Sequence, residues 1–164
     1  GMFLGVVGEW LELTHGLSVK EIAAVTIAIG AGDVLGEVMM TLFGDRFGVT
    51  RVLRCGMVVY MVVAAVMPAL DAAGIIASVA GVLVQILCIE CCIVSLFACS
   101  TQVYPPESKH AMALIALTQV GIGLGMVVGT AVGPQLWDLG SNDYYPIGIA
   151  QTSVVLVALA VNTW

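Results

Sequence analysis

Residues 19–70 read VKEIAAVTIAIGAGDVLGEVMMTLF, GDRFGVTR and VLRCGMVVYMVVAAVMPAL, which are two long apolar blocks on either side of a short charged segment. One bilayer-spanning helix needs about 20 apolar residues, so the blocks at 19–43 and 52–70 are both long enough. Neither block alternates polar and apolar residues as a barrel strand would. Ser18, with Glu21 three residues later, fits a capping box at the start of the first block. The stretch therefore predicts two membrane-spanning helices joined by a tight charged loop at 44–51.

Similar apolar blocks occur further along the chain, at 75–101, 111–137 and 147–164. Residues 1–13 are apolar apart from Glu9 and Glu12, and they are too short to cross a bilayer alone. We interpret them as the last part of a helix whose beginning is missing. The prediction is an all-α membrane protein, in which residues 1–164 form a single helical bundle. This bundle has five full transmembrane helices plus the end of a sixth.

Composition excludes several other classes of protein. The 164 residues are 60% hydrophobic and 10% charged, and the mean hydropathy is +1.09, whereas a soluble domain carries about 25% charged residues. The net charge of −6 leaves no basic footprint for nucleic acid. We therefore expect the lipid bilayer as a partner and no nucleic acid. Cys88, Cys92 and Cys99 share a face without nearby histidine, which favours packing over a metal site, and no cofactor is expected.

Basic residues fall mainly on one side of the predicted bundle. Successive loops alternate sides, and Lys20 is the one lysine or arginine on the other side. The positive-inside rule then predicts that the loop containing Arg46 is cytoplasmic, and we expect a bacterial inner (plasma) membrane. The basic residues on this side are Arg46, Arg51, Arg54, Lys109 and His110.

Three acidic residues lie inside predicted spans. Asp33 and Glu37 are four residues apart and share one helix face, and Glu90 lies near the middle of the 75–101 span. A charged residue at the bilayer centre costs roughly 2.5–3.5 kcal/mol, and no Lys or Arg lies within a span to neutralise these acids. The functional interpretation is a proton-coupling or cation-binding site, and the alternative is hydrogen bonding between helices by protonated acids. Gln85 and Gln119 are weaker candidates, since a spanning glutamine equally often joins helices.

Glycines recur every four residues along the 111–137 span, at Gly121, Gly125, Gly129 and Gly133, and Pro134 follows at once. Such a row lets another helix backbone approach closely, and the proline is expected to bend or end the helix. Tight helix packing is the simpler interpretation, and motion along this seam is a hypothesis added to it.

The charged loop is the most specific signal in the chain. Asp45, Arg46 and Arg51 could lock against helix ends and neighbouring charges, and Gly48 permits the sharp reversal. Such a gating latch would break and reform as two helix bundles rock. The alternative is an ordinary cytoplasmic turn whose charges retain it on that side.

This loop resembles the cytoplasmic signature G-x-x-x-D-R-x-G-R-R of the major facilitator superfamily. Asp45, Arg46 and Gly48 match it, Thr41 stands at the first glycine, and residues 49–50 replace the basic pair. A weakened copy of the loop is typical of that family's second six-helix half. The segments 10–12, 16–18, 36–37, 89–95 and 104–107 are also similar to that half, especially in bacterial permeases of the arabinose-efflux type. The run from Gly129 to Pro134 resembles part of the antiporter glycine motif.

The resemblance implies the C-terminal half of a twelve-helix secondary transporter, whose partner is the missing N-terminal half of the same protein. Such transporters work by rocking two halves about a central site. The implied function is proton-coupled export of a small solute, a sugar or a drug-like compound, rather than an enzymatic reaction. Asp33, Glu37 and Glu90 would bind the coupling proton or a polar group of the substrate.

Two other functions remain open at this point. Residues 30–33 read G-A-G-D, as in the G-x-G-D motif of intramembrane aspartyl proteases, and residues 68–70 read P-A-L as in those enzymes. That chemistry needs a second membrane aspartate, which the chain lacks, and the P-A-L element comes one helix too early. A non-catalytic membrane scaffold is the third possibility, and it predicts that all three acids tolerate neutral replacement.

Overall fold

The computed structural model describes residues 6–104, 108–140 and 144–162, and every regular element within those ranges is a helix. The all-α prediction is therefore confirmed for the described part of the chain. Residues 105–107, which lie between two of the predicted spans, and residues 1–5 of the predicted partial first helix lie outside it. The helices are α1 (Val7–His15), α2 (Val19–Phe47), α3 (Val49–Ala72), α4 (Ile75–Val103), α5 (Lys109–Leu139) and α6 (Tyr145–Asn162).

The prediction of five full transmembrane helices overstates the number slightly. Among the described residues, four helices, α2 to α5, are long and apolar enough to cross a membrane. The apolar part of α6, Tyr145–Ala160, is shorter. At 1.5 Å per residue it extends roughly 24 Å, whereas the hydrocarbon core is about 30 Å thick.

Helix boundaries agree with the predicted signals except at the charged loop. Glu21 reaches back to Ser18 as predicted, because the Ser18 backbone N–H and hydroxyl donate to its Oε2 at 2.8 and 2.7 Å. The predicted loop at 44–51 is wrong, since α2 continues to Phe47 and α3 begins at Val49. Gly48 alone separates the two helices, with φ 86°. A residue with a side chain rarely adopts this φ value, so the reversal depends on glycine, as the sequence predicted.

α4 forms the centre of the bundle and packs mainly against α2 and α3, while α6 packs against α3. The largest buried cluster lies toward the end of the bundle where α1 enters, and it includes Trp10, Met67, Val82, Trp137 and Tyr144. α5 contacts α4 and α6 but is otherwise open, with 6% of its most apolar stretch buried. The faces that α5 leaves uncovered are apolar, as expected for surface that meets lipid or another helix.

Candidate functional site

The candidate site lies where α2 crosses α4 at close range. Gly32 and Gly36 are buried on the α2 side of this contact. A Cβ atom built on Gly36 would lie 2.6 Å from the Cβ of Glu90 and 2.8 Å from the carbonyl oxygen of Leu87, and one built on Gly32 would lie 3.2 Å from Ile86 Cβ. Small residues permit such an approach in a membrane bundle, so these two glycines bring the acidic helix faces together.

Polar side chains of α4 continue the contact along α2. The Cys91 thiol donates to the carbonyl oxygen of Gly36 at 3.1 Å. One turn further on, the Ser95 hydroxyl lies 3.1 Å from the sulfur of Met40 and 2.6 Å from the Cys91 carbonyl oxygen. These interactions hold the register of α2 on α4, and they fix the position of Glu90 relative to Asp33 and Glu37.

The structure brings the three predicted acids together across this crossing. Asp33 and Glu90 are half-buried, and Glu37 is exposed. Asp33 and Glu37 both lie close enough to Glu90 for electrostatic interaction with it, and Asp33 interacts in the same way with Glu37. The spacing of Asp33 and Glu37 predicted their shared face, whereas their proximity to Glu90 arises from the packing of two helices.

No basic side chain neutralises this acid cluster within the described ranges. The contact between His15 and Asp71 lies elsewhere in the bundle. Like charges without a counter-charge are unfavourable in a low-dielectric environment. The arrangement is therefore chemically suited to hold a proton or a cationic group of a solute.

The two predicted glutamines do not join the acid cluster. Gln85 is fully buried in α4, and its side chain lies near the hydroxyl of Tyr144. That hydroxyl donates to Gln151 Oε1 at 3.1 Å, whereas neither amide atom of Gln85 meets hydrogen-bond geometry with any described group. Gln119 is exposed on α5. Gln85 thus belongs to a polar cluster between α4 and α6, and Gln119 lies on an open face.

The glycine row of α5 divides into two parts. Gly129 and Gly133 are buried, in keeping with a packing function. Gly121 and Gly125 are exposed, and a Cβ built on either would have no atom within 4 Å. Pro134 lies inside the helix, which continues to Leu139. Half of the predicted groove therefore packs within the bundle, and half is free to receive another helix.

The predicted gating residues cluster around the single-residue turn at Gly48. Asp45, Arg46 and Arg51 are all exposed there. The Arg46 guanidinium lies over the Phe47 ring, 5.7 Å from its centroid, a distance typical of a cation–π interaction. Within the described ranges Asp45 forms no ion pair.

The cysteines of α4 serve the helix contacts. Cys88 and Cys91 are buried free thiols, and the Cys92 thiol points toward the Leu53 carbonyl oxygen at 3.8 Å. Among the described residues no group of three or more His, Cys, Asp or Glu side chains is arranged to hold a metal ion.

Sequence reasoning missed a second polar cluster at the opposite end of the bundle. His15 Nε2 lies 2.7 Å from Asp71 Oδ1 and 3.2 Å from Ser78 Oγ, and Ser78 Oγ lies 3.3 Å from the same aspartate oxygen. The cluster ties the end of α1 to the turn between α3 and α4. The sequence did contain a signal for this cluster. Because successive loops alternate sides, the α1–α2 turn and the α3–α4 turn lie on the same side of the membrane.

These features define the class of protein. Four apolar helices of bilayer length with an ionisable cluster inside their contact are characteristic of an integral membrane protein that handles ions or polar solutes. The sequence profile of the Major Facilitator Superfamily matches residues 1–164. The chain therefore belongs to the major facilitator superfamily. No curated protein and no solved structure matches the chain significantly.

Family membership makes the chain a membrane transporter in general terms, because the family consists of transporters rather than enzymes. The geometry gives no support to the protease hypothesis. Asp33 lies halfway along α2, while Pro68 lies near the end of α3 that leads to the opposite turn. Transport of a small solute across the lipid bilayer is the function that the family supports.

Proposed function

We propose that the protein exports a small solute, a sugar or a drug-like compound, in exchange for protons by alternating access. In this mechanism Asp33, Glu37 and Glu90 hold the coupling proton or a cationic group of the solute. The observation that carries the proposal is their convergence across the α2–α4 crossing. An acid inside a membrane is expensive, and where it faces a cavity or a partner it usually marks an ion or substrate pathway.

Alternating access requires a second half of the transporter, and we propose that this chain forms the C-terminal half. Two bundles then rock about a site at their interface. One open face of α5 suits such an interface, because Gly121 and Gly125 are exposed on it, while Gln119 is exposed on another face. The glycines would let a helix of the N-terminal half approach closely, and Gln119 would face the solute.

The orientation proposed from the basic residues places the Gly48 turn in the cytoplasm of a bacterial cell. Asp45, Arg46 and Arg51 would then form ion pairs with the other half when the cytoplasmic side closes. Their exposure leaves them accessible to such partners. The sequence resemblance favours a substrate specificity of the arabinose-efflux type.

The test is transport by the full-length protein in proteoliposomes with an imposed pH gradient. Radiolabelled arabinose and the fluorescent cation ethidium serve as a sugar probe and a drug-like probe. We expect Glu90→Gln and Asp33→Asn to abolish uptake driven by the gradient, since each removes a carboxylate of the cluster. Glu9→Gln is the matched control, because Glu9 is an exposed acid on α1 and should leave uptake unchanged.

Two other outcomes would contradict the proposed coupling by these acids. Unchanged gradient-driven uptake in both Glu90→Gln and Asp33→Asn would remove these acids from the coupling mechanism. If every variant retained full transport and all three acids tolerated neutral replacement together, the cluster would be structural, as the scaffold hypothesis predicts.

A further inference from the structure

An apolar cavity lies between α2, α3 and α4, on the other flank of the α2–α4 contact from the acid cluster. Its volume is about 470 Å³, within the range of roughly 300–1,000 Å³ typical of ligand pockets. The walls include Phe43, Val59, Val84 and Leu87, and none of the three membrane acids lines it. The cavity is therefore separate from the proposed transport site.

A polar recess of about 450 Å³ adjoins this cavity at the turn between α2 and α3. Phe47 and Arg51 line both spaces, so the two adjoin at these side chains. Asp45, Thr50 and Gln102 provide polar groups in the recess. The combined site has a polar mouth and an apolar interior.

The dimensions of the combined site match one leaflet of a bilayer. The turn at Gly48 marks the end of two spans and thus the level of the lipid headgroups. Val59 lies ten residues into α3 from Val49, which is roughly 15 Å along a helix. Half of a hydrocarbon core of about 30 Å is the same depth.

Charge at this end of the bundle favours an anionic ligand. Arg51 is exposed, and within the described ranges its side chain has no ion-pair partner. Asp45 is the one acid lining the recess. Four of the five Lys and Arg residues of the chain, namely Arg46, Arg51, Arg54 and Lys109, lie at this end of the helices.

We propose that this site binds one anionic phospholipid from the adjacent leaflet. One acyl chain occupies the apolar cavity, and the phosphate lies in the polar recess against Arg51. The proposal involves neither the acid cluster nor a solute, but it shares Arg51 with the proposed gating turn, so lipid retention rather than transport is its readout. A lipid fits better than a protein segment, since the cavity walls are apolar along a full leaflet depth and anionic lipid is drawn to basic residues at the membrane surface.

The test is native mass spectrometry of the full-length protein released from an equimolar mixture of phosphatidylglycerol and phosphatidylcholine. We expect the wild type to retain phosphatidylglycerol preferentially, and Arg51→Gln to reduce this preference about fivefold. Arg51→Lys should keep most of it. Arg46→Gln is the matched control, because Arg46 is a neighbouring exposed arginine that lines neither space, and its effect should stay below about twofold if the contact is specific.

A second variant tests the acyl part of the site. Val84→Phe fills the cavity and should lower the amount of both lipids that remain bound. Equal losses of preference in Arg51→Gln and Arg46→Gln would overturn the specific headgroup contact. Unchanged lipid binding in Val84→Phe, as expected if another part of the protein covers the cavity, would overturn the acyl site. Displacement of the bound lipid by millimolar inorganic phosphate would show that the recess prefers free phosphate and would also overturn the proposal.

Discussion

Gly36 sets the distance between the helices that carry the acids. A Cβ atom built on Gly36 would lie 2.6 Å from Glu90 Cβ, which is closer than two non-bonded carbon atoms can approach without displacement. Gly30 is only six residues away on the same helix, yet a Cβ there would meet nothing within 4 Å. The sequence alone does not distinguish Gly30 from Gly36, because it cannot tell which flank of α2 meets α4.

Gly36→Ala is therefore expected to destabilise the bundle by roughly 1–3 kcal/mol through overpacking. Gly30→Ala should change the free energy of unfolding by less than about 1 kcal/mol, in the stabilising direction, because alanine favours the helix. Unfolding by sodium dodecyl sulfate in mixed micelles measures both. Equal effects of the two substitutions would show that α2 and α4 do not cross at Gly36.

Element by element, the sequence predicted where most helices begin and end but not how they continue through the charged loop. The acidic and basic residues at 45–51 suggested a solvated loop, whereas they extend α2 and α3 to within one residue of each other. Helical hydrogen bonding satisfies the backbone at the membrane surface, and Gly48 alone makes the reversal. The contacts between helices, such as that of α1 with the α3–α4 turn, could not be predicted from the sequence and are seen only in the tertiary structure.

The His15–Asp71 pair is expected to couple α1 to that turn energetically. His15 and Asp71 side chains are 11% and 18% exposed, so the pair is shielded enough for a double-mutant cycle to detect it. The cycle of His15→Ala and Asp71→Ala should give a coupling energy of about 0.5–3 kcal/mol. The same cycle with the exposed Glu12→Ala in place of His15→Ala should be additive, and additivity in both cycles would mean that the pair does not hold α1 in place.

At the scale of the whole molecule, composition was sufficient to predict a helical membrane bundle, and the spacing of Asp33 and Glu37 predicted a shared face. The proximity of Glu90 on α4 to that face of α2 could not be predicted, because it depends on which of several apolar helices α2 packs against. Gln85 illustrates the same limit. Its polarity marked it as a candidate, but the fold places it beside Tyr144, on another side of α4.

The central claim is that Asp33, Glu37 and Glu90 form one cluster on a hydrated face between helices rather than facing lipid. Carbodiimide modification of the full-length protein in lipid nanodiscs, read by peptide mass spectrometry, tests it most directly. A water-soluble carbodiimide with glycine ethyl ester is compared with a lipid-soluble carbodiimide, and the exposed Glu9 and Glu12 serve as internal controls. We expect the water-soluble reagent to modify Glu37 and Glu90 together with these controls. Modification of the three acids by the lipid-soluble reagent alone would contradict the claim.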